Sequence, residues 1–484
     1  MNYKVVLQLI GYMLIGLGVL IFIPLLAAFY YGEKDSSAFL ISGGACILCG
    51  FLLAMLFRNN DTIAEREGFT IVTLSWVFFS IFGCLPYMLS TPAHSFTDSF
   101  FETMSGFTTT GSTIFTDIEA HTKSILLWRS ITQWLGGMGI IVLGLAILPI
   151  LGVGGMQLFR AETPGPVSTK LTPRIKDTAK ILWLVYVGLT AIQFLLLCLA
   201  GMPVFDSICH SLTTMPTGGF SPKAASIGHY ESSAIHWIIT IFMLLAGINF
   251  SIHFQILRGI IRKTFADSEL RTYLFLALCF TLLICINLFT KNDITGYSSF
   301  SICLRDASFT VASILTTTGY ATADFELWPV FSQGLIFVLL FLGSCAGSTG
   351  GGIKTIRLIV LYRFACQQLY YLLHPRAILN LKVDEKVVKN NIIFGVLGFF
   401  IIYIGFFTLG AIALMGTGQD FLTALSASAA CIGNVGPGLG AVGPMDNFAH
   451  ITTFGKWCLI FLMLLGRLEL FTVLVIFSAA FWKD

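Results

Sequence analysis

The chain has 484 residues, of which 56% are apolar and 11% charged, with a formal net charge of +3. Soluble domains carry about 25% charged residues, so a chain this apolar, with 44 Phe, is neither a soluble enzyme nor a disordered segment. The near-neutral balance leaves no footprint for nucleic acid, and a mean hydropathy of +0.85 marks an integral membrane protein in a lipid bilayer.

Val5–Gly32 and Ser36–Phe57 contain no Lys, Arg, Asp or Glu, and each is long enough to cross about 30 Å of hydrocarbon. The first exceeds a signal-peptide core of about 7–15 residues, so a retained transmembrane helix is expected. Further apolar runs follow at 68–91, 124–152, 179–201, 232–258, 272–290, 328–371, 390–415 and 452–482, predicting ten crossings. Shorter stretches near 97–110, 205–217, 305–318 and 419–432 suit re-entrant half-helices instead. With both termini cytoplasmic, twenty basic residues fall inside and seven outside, as the positive-inside rule requires. The acids lean outward, fourteen to ten, giving an entrance that concentrates cations. Cysteines such as Cys84, Cys198, Cys279 and Cys458 lie in apolar runs and read as small hydrophobes. Cys46 and Cys49 form a C-x-x-C with no second ligand pair beside it, which argues against zinc.

Each half-helix candidate opens with an aspartate, Asp98, Asp206, Asp306 and Asp420, and thirteen residues later stands Gly111, Gly219, Gly319 and Gly433. Thr108-Thr109-Thr110-Gly111 and Thr316-Thr317-Thr318-Gly319 are identical, Thr217-Gly218-Gly219 is close, and Ile432-Gly433-Asn434 diverges most. The four aspartates are expected to cap the helix starts, where a carboxylate accepts orphan N–H groups. A half-helix of about twelve residues spans roughly 18 Å and ends near mid-membrane. Glycine there permits an extended turn with inward carbonyls, and rings of such carbonyls replace the hydration shell of a cation. The expected fold is all-α, with four span–half-helix–glycine–span units around a central pore and two extra N-terminal helices. Its units are 1–67, then 68–158, 159–265, 266–380 and 381–484.

This arrangement resembles the Trk/Ktr/HKT superfamily of potassium transporters, over about residues 68–484. The two extra N-terminal spans and the chain length look most like the membrane subunit of bacterial Trk systems. The resemblance implies K⁺ as the transported ion, with no cofactor bound by this chain and no enzymatic activity. It implies K⁺ ligation by the backbone around Thr109, Thr110, Gly111, Thr217, Gly218, Gly219, Thr317, Thr318, Gly319, Ile432, Gly433 and Asn434. It also implies a homodimer in the bacterial inner membrane and a cytoplasmic TrkA-like ring subunit with NAD- and ATP-binding domains. The basic segments 160–180 and 354–389 are candidate docking surfaces for that subunit, or equally anchors that follow the positive-inside rule.

The run 328–371 would make a helix of roughly 66 Å, about twice the membrane core. It must break, and helix propensity collapses over Gly343-Ser344-Cys345-Ala346-Gly347-Ser348-Thr349-Gly350-Gly351-Gly352. Ile353 separates Gly352 from Lys354, which rules out a phosphate-binding G-x-x-x-x-G-K-[ST] loop. A glycine-rich packing surface is one reading. The resemblance implies another, an intramembrane loop that obstructs the pore. Arg467 lies far from either face of the last span, and an intramembrane arginine is a functional candidate. Either it pairs with another helix, or it projects into the pore below the glycines and opposes cations. Glu469, two residues on, faces nearly the opposite side.

Three other functions would each leave a different mark on the sequence. An alternating-access transporter is signalled by inverted repeats, whereas these four units run in one direction. A membrane-embedded enzyme needs clustered deep acids or a nucleophile, and only Arg467 and Glu469 read as deep charges. The resemblance implies that a Na⁺-permeable relative carries serine in the first repeat, whereas all four positions here, Gly111, Gly219, Gly319 and Gly433, are glycine.

Overall fold

The computed structural model describes residues 1–59, 65–142, 175–260, 264–291, 297, 299–377, 379–384 and 386–482. The end of the run at 124–152, most of the basic segment 160–180 and the boundary at 158/159 lie outside them. The described chain is mostly helical, as expected for segments that must satisfy every backbone group internally. A short antiparallel pair, Lys382–Val383 with Lys386–Val387, departs from an all-α fold and packs on the helix ends, with Val383 buried against Ile356 and Ile393 and Asp384 accepting the Ser268 N–H at 3.1 Å.

Six described helices are long and apolar enough to span a membrane. The first two, α1 (Tyr3–Tyr31) and α2 (Ser36–Leu56), approach closely because Gly11 and Gly18 face Gly50 and Gly43. A side chain at Gly11 would strike the Gly50 carbonyl, and one at Gly18 the Gly43 carbonyl. Small residues that bring backbones together are how helices associate in lipid. Cys46 is buried in this seam, its thiol 3.2 Å from the Leu14 carbonyl, and packs as a small apolar residue.

Two of the expected crossings are bent. Ser233–Ala246 and Phe250–Leu257 meet at 101°, and Thr453–Arg467 and Leu470–Phe477 at 114°. The causes are local. Asn249 caps a new helix by accepting the Ser251 N–H at 2.8 Å, so the chain restarts in a different direction. Glu469 takes φ +59° between Arg467 and Leu470. Counting each bent pair as one span gives eight among the described residues. The remaining two expected crossings are the partly described run at 124–152 and the run at 328–371. The latter is interrupted, as its glycines require, between Val330–Leu339 and Thr355–Leu373.

Four shorter helices fill the interior: α4 (Phe96–Phe107), α7 (Val204–Thr214), α11 (Phe300–Leu315) and α15 (Phe421–Gly433). Their last turns are buried on all sides, including polar residues such as Thr103, Thr213, Ser313 and Ser428. Those hydroxyls are each satisfied by a carbonyl, for example Thr103 on Ser99 and Ser428 on Phe407.

Candidate functional site

Each interior helix ends in the same turn. In the first, the Thr109 N–H donates to the Gly106 carbonyl and the Thr110 N–H to Ser105, both at 2.9 Å. The same pair of bonds recurs at Thr217 and Gly218, at Thr317 and Thr318, and at Asn434 and Val435. The first residue of each turn has positive φ: Thr109 52°, Thr217 57°, Thr317 60° and Asn434 53°. Two residues later comes a glycine with positive φ: Gly111 85°, Gly219 78°, Gly319 80° and Gly436 102°. Alternating the sign of φ turns successive peptide planes so that their carbonyls share one side.

The four turns close into a ring. A Cβ on Gly111 would strike the Gly218 carbonyl, one on Gly219 that of Thr318, one on Gly319 that of Val435, and one on Gly436 that of Thr110. All four approaches are closer than 3.0 Å, which real Cβ atoms do not show. The contacts run one to two, two to three, three to four and four back to one, so the turns surround a common axis. On their glycine side they line one cavity, with Lys223 and Asp446 also in its wall. His121 stacks on Phe115 of that wall at 4.0 Å. Its pKa is lowered to about 4, first by burial and then by Arg129, so the ring stays neutral and packs as an apolar surface.

On the other side of the ring lies the glycine-rich loop. The Gly343 N–H to Ile353 carbonyl bond (2.9 Å) and the Thr355 N–H to Ser344 carbonyl bond (3.1 Å) close its base. Its crown reaches the candidate filter: the Gly351 N–H donates to Thr317 Oγ1 at 2.7 Å. Gly351 also lies against the Gly433 carbonyl, and Gly350 against that of Thr316. Arg467 is buried, and its Nη1 donates to the Thr349 carbonyl at 2.6 Å while Nη2 donates to Gly136 at 3.1 Å. Lys354 Nζ bonds the Gly350 carbonyl. Ser348 turns inward, sharing a 2.8 Å hydrogen bond with Ser344, and Gly347 and Gly352 supply the positive φ of the loop's corners.

A family model described as "TrkH: Cation transport protein" matches residues 35–484. The Trk system potassium uptake protein TrkH of Salmonella typhimurium is 41% identical over the whole of both chains. TrkG of Escherichia coli K12 is 34% identical over 100% of this chain and 99% of its own. A crystal structure of the potassium transporter TrkH from Vibrio parahaemolyticus superposes with a TM-score of 0.90 at 37% identity, covering 100% of each chain. The chain belongs to the TrkH family of cation transport proteins.

Within this TrkH-family fold, three expectations need correction. The fourth glycine of the ring is Gly436, not Gly433. Gly433 is the last residue of α15 and Ile432 lies inside that helix, while Asn434 opens the turn. The thirteen-residue ruler fails there because Asp420 starts its helix one turn earlier relative to the ring.

The aspartates do not share a role either. Only Asp420 is itself an N-cap, accepting the Thr423 N–H at 3.0 Å. Asp98 sits in the first turn behind the cap Ser95 and pairs with Lys456 at 2.7 Å. Asp206, in the first turn after Pro203, accepts the Tyr230 hydroxyl at 2.8 Å. Asp306 lies well inside α11 and takes Arg305 at 2.8 Å and the Tyr297 hydroxyl at 3.1 Å.

Arg467 and Glu469 are not the only deep charges. Arg357 and Glu469 form an ion pair, with the Arg357 guanidinium 3.6 Å from the centre of the Phe399 ring. Glu102 and Arg129 form another, fully buried at 2.8 Å. This second pair holds the chain just beyond two of the glycines. Glu102 accepts the Ile114 N–H at 2.9 Å, and Arg129 donates to the Ser221 carbonyl at 3.1 Å. The signal for Glu102 was legible as a lone acid in an apolar stretch, four residues after Asp98. Gln133 carried no signal. Its Nε2 donates to the Gly218 carbonyl at 2.6 Å and its Oε1 accepts the Phe220 N–H at 3.0 Å. The first and third turns instead carry paired threonines, Thr108 with Thr110 and Thr316 with Thr318. In the second turn Gly218 leaves that space, and Gln133 fills it.

Glu102→Ala strands a buried guanidinium and is expected to cost about 3–5 kcal/mol. Thermal unfolding in detergent should show a large loss of stability, and a shift under about 1 kcal/mol would contradict the burial argument.

Proposed function

We propose that this chain conducts K⁺ inward across the bacterial inner membrane through the ring of four turns. The observation that carries the reading is the closed cycle of glycine–carbonyl contacts among Gly111, Gly219, Gly319 and Gly436. Carbonyls held in a ring by fixed backbone replace the water around a monovalent ion. K⁺ is then ligated by the carbonyls of the four turns, Thr109 to Gly111, Thr217 to Gly219, Thr317 to Gly319 and Asn434 to Gly436. This assigns four pore units to 68–158, 159–265, 266–380 and 381–484, with 1–67 packed outside them. Both termini are cytoplasmic on this reading, which the distribution of basic residues supports. A pore adds no energy, so uptake draws on the membrane potential, about 2.3 kcal/mol per charge per 100 mV. The chain works as a homodimer with a cytoplasmic TrkA-like subunit. The relatives' assignment to a Trk system supports a multi-subunit assembly. The exposed Tyr362, Leu369 and Leu373 on the helix before the basic hairpin offer that partner a surface.

Complementation tests the reading. A host lacking its own potassium uptake should grow at low K⁺ with this chain. Growth should fail when Gly111, Gly219, Gly319 or Gly436 is changed singly to serine. Growth with all four serine variants at normal membrane levels would refute it.

The loop from Gly343 to Gly352, with Arg467, controls passage. Changing Gly350, Gly351 and Gly352 to alanine inserts side chains against Ser344 and the Gly433 carbonyl. Rubidium uptake is expected to change severalfold while insertion is normal, and unchanged uptake kinetics count against a gate here.

A further inference from the structure

Breaking a helix inside a membrane leaves the new helix start with orphan N–H groups. At the loop's exit the N-cap of Thr355–Leu373 is Lys354, whose side chain has no acceptor and makes no cap. The acceptor is supplied by a different helix. Glu269, in the first turn of Ser268–Thr290, receives the Ile356 N–H at 3.1 Å on Oε1. The same oxygen receives the Ala346 N–H at 2.7 Å. One carboxylate oxygen therefore ties the loop's entry limb to the helix that leaves it. A side-chain acceptor at that helix start stands in for the missing cap.

The rest of the loop rests on the bend of the second broken span. The Cys345 N–H donates to the Gly247 carbonyl at 3.0 Å, and the Phe250 N–H donates to the Gly347 carbonyl at 3.1 Å. Thr349 Oγ1 reaches the Met215 carbonyl at 2.9 Å. The bend at Gly247–Asn249 exposes the backbone groups that the loop completes, so the two breaks form one seat. Among these attachments Glu269 alone grips both limbs.

We propose that Glu269 is a positioning residue that clamps the glycine-rich loop in its seat against the inner end of the candidate filter. The proposal rests on the reading of that loop as the obstruction. Without the Glu269 oxygen the backbone bonds at the loop's base still hold Gly343 to Ile353 and Ser344 to Thr355, while Ala346 loses its tie to Ile356 and the crown loosens from Thr317.

The test uses the full chain in proteoliposomes and compares Glu269→Ala, Glu269→Asp, Glu269→Gln and a variant lacking Gly350–Gly352. Glu269→Ala should raise rubidium flux about tenfold, the scale of one lost hydrogen bond, with the K⁺ to Na⁺ ratio unchanged. Glu269→Asp draws the oxygen back by one methylene and should raise flux partway. Glu269→Gln keeps an oxygen acceptor in place and should stay near the parent. A second readout is Cys345, which is buried in the loop. Its modification by a maleimide, read by mass spectrometry on the folded fraction, should quicken in the Ala and Asp variants and not in Gln. Parent-level flux and labelling in the Ala and Asp variants, alongside raised flux in the loop deletion, would overturn the clamp and leave the gate reading intact. Unchanged flux in the loop deletion would overturn the gate reading itself.

Discussion

Gly219→Ala is expected to abolish K⁺ uptake while the protein still inserts. Gly219 holds φ +78°, and its missing side chain leaves room for the Thr318 carbonyl of the next turn. A methyl group there must displace that carbonyl, which is one of the oxygens proposed to strip water from the ion. Backbone strain at positive φ alone costs about 1–3 kcal/mol. If the upper part of that range, about 2.7 kcal/mol, appears in the transfer barrier, flux falls about a hundredfold. The expected signature is loss of rubidium uptake at normal membrane abundance. The same change at Gly436 also strikes a neighbouring carbonyl, that of Thr110, and should weaken selection of K⁺ over Na⁺. Gly433→Ala meets the Leu340 carbonyl outside the ring and should disturb packing with less effect on ion selectivity. Equal selectivity losses at Gly433 and Gly436 would argue against the ring as drawn.

That contrast shows how far the sequence could be read. Three turns were legible because Asp and Gly keep one spacing and Thr-Thr-Gly repeats around Gly111 and Gly319. The fourth was misplaced by one helical turn. Asp420 caps its own helix, whereas Ser95, Pro203 and Ser299 precede the other three, and Asn434 stands where the others have threonine. Asn434 does the work of joining the ring, its Nδ2 donating to Thr110 Oγ1 at 3.0 Å. Hydropathy located the interruption at Gly343–Gly352 because many glycines remove helix propensity at once. It was blind to the bends at Gly247–Asn249 and Leu468–Glu469, where one cap or one positive φ suffices. Buried pairs such as Glu102 with Arg129 were hidden for another reason. Their partners are distant in sequence, and a charge ledger by segment assigns each to the nearest aqueous face.

Arg467→Ala is expected to raise cation flux by at least about tenfold. The guanidinium is buried at the end of its helix and holds the Thr349 carbonyl of the loop and the Gly136 carbonyl of the first unit. Two effects then act together. A unit positive charge about 4 Å from an ion's path opposes it by about 4 kcal/mol at an effective dielectric of 20. The bond to Thr349 also restrains the loop. Arg467→Gln separates them, because an amide can still donate to Thr349 but carries no charge. If charge dominates, Gln and Ala should raise flux alike. If the tether dominates, Gln and Arg467→Lys both keep a donor for Thr349 and should stay close to the parent. A structural arginine predicts something different from both, namely loss of folded protein in Ala, since two buried carbonyls lose their donors. Gel filtration of each variant beside its rubidium flux distinguishes the cases, and reduced flux in a well-folded Ala variant would contradict a barrier at this position.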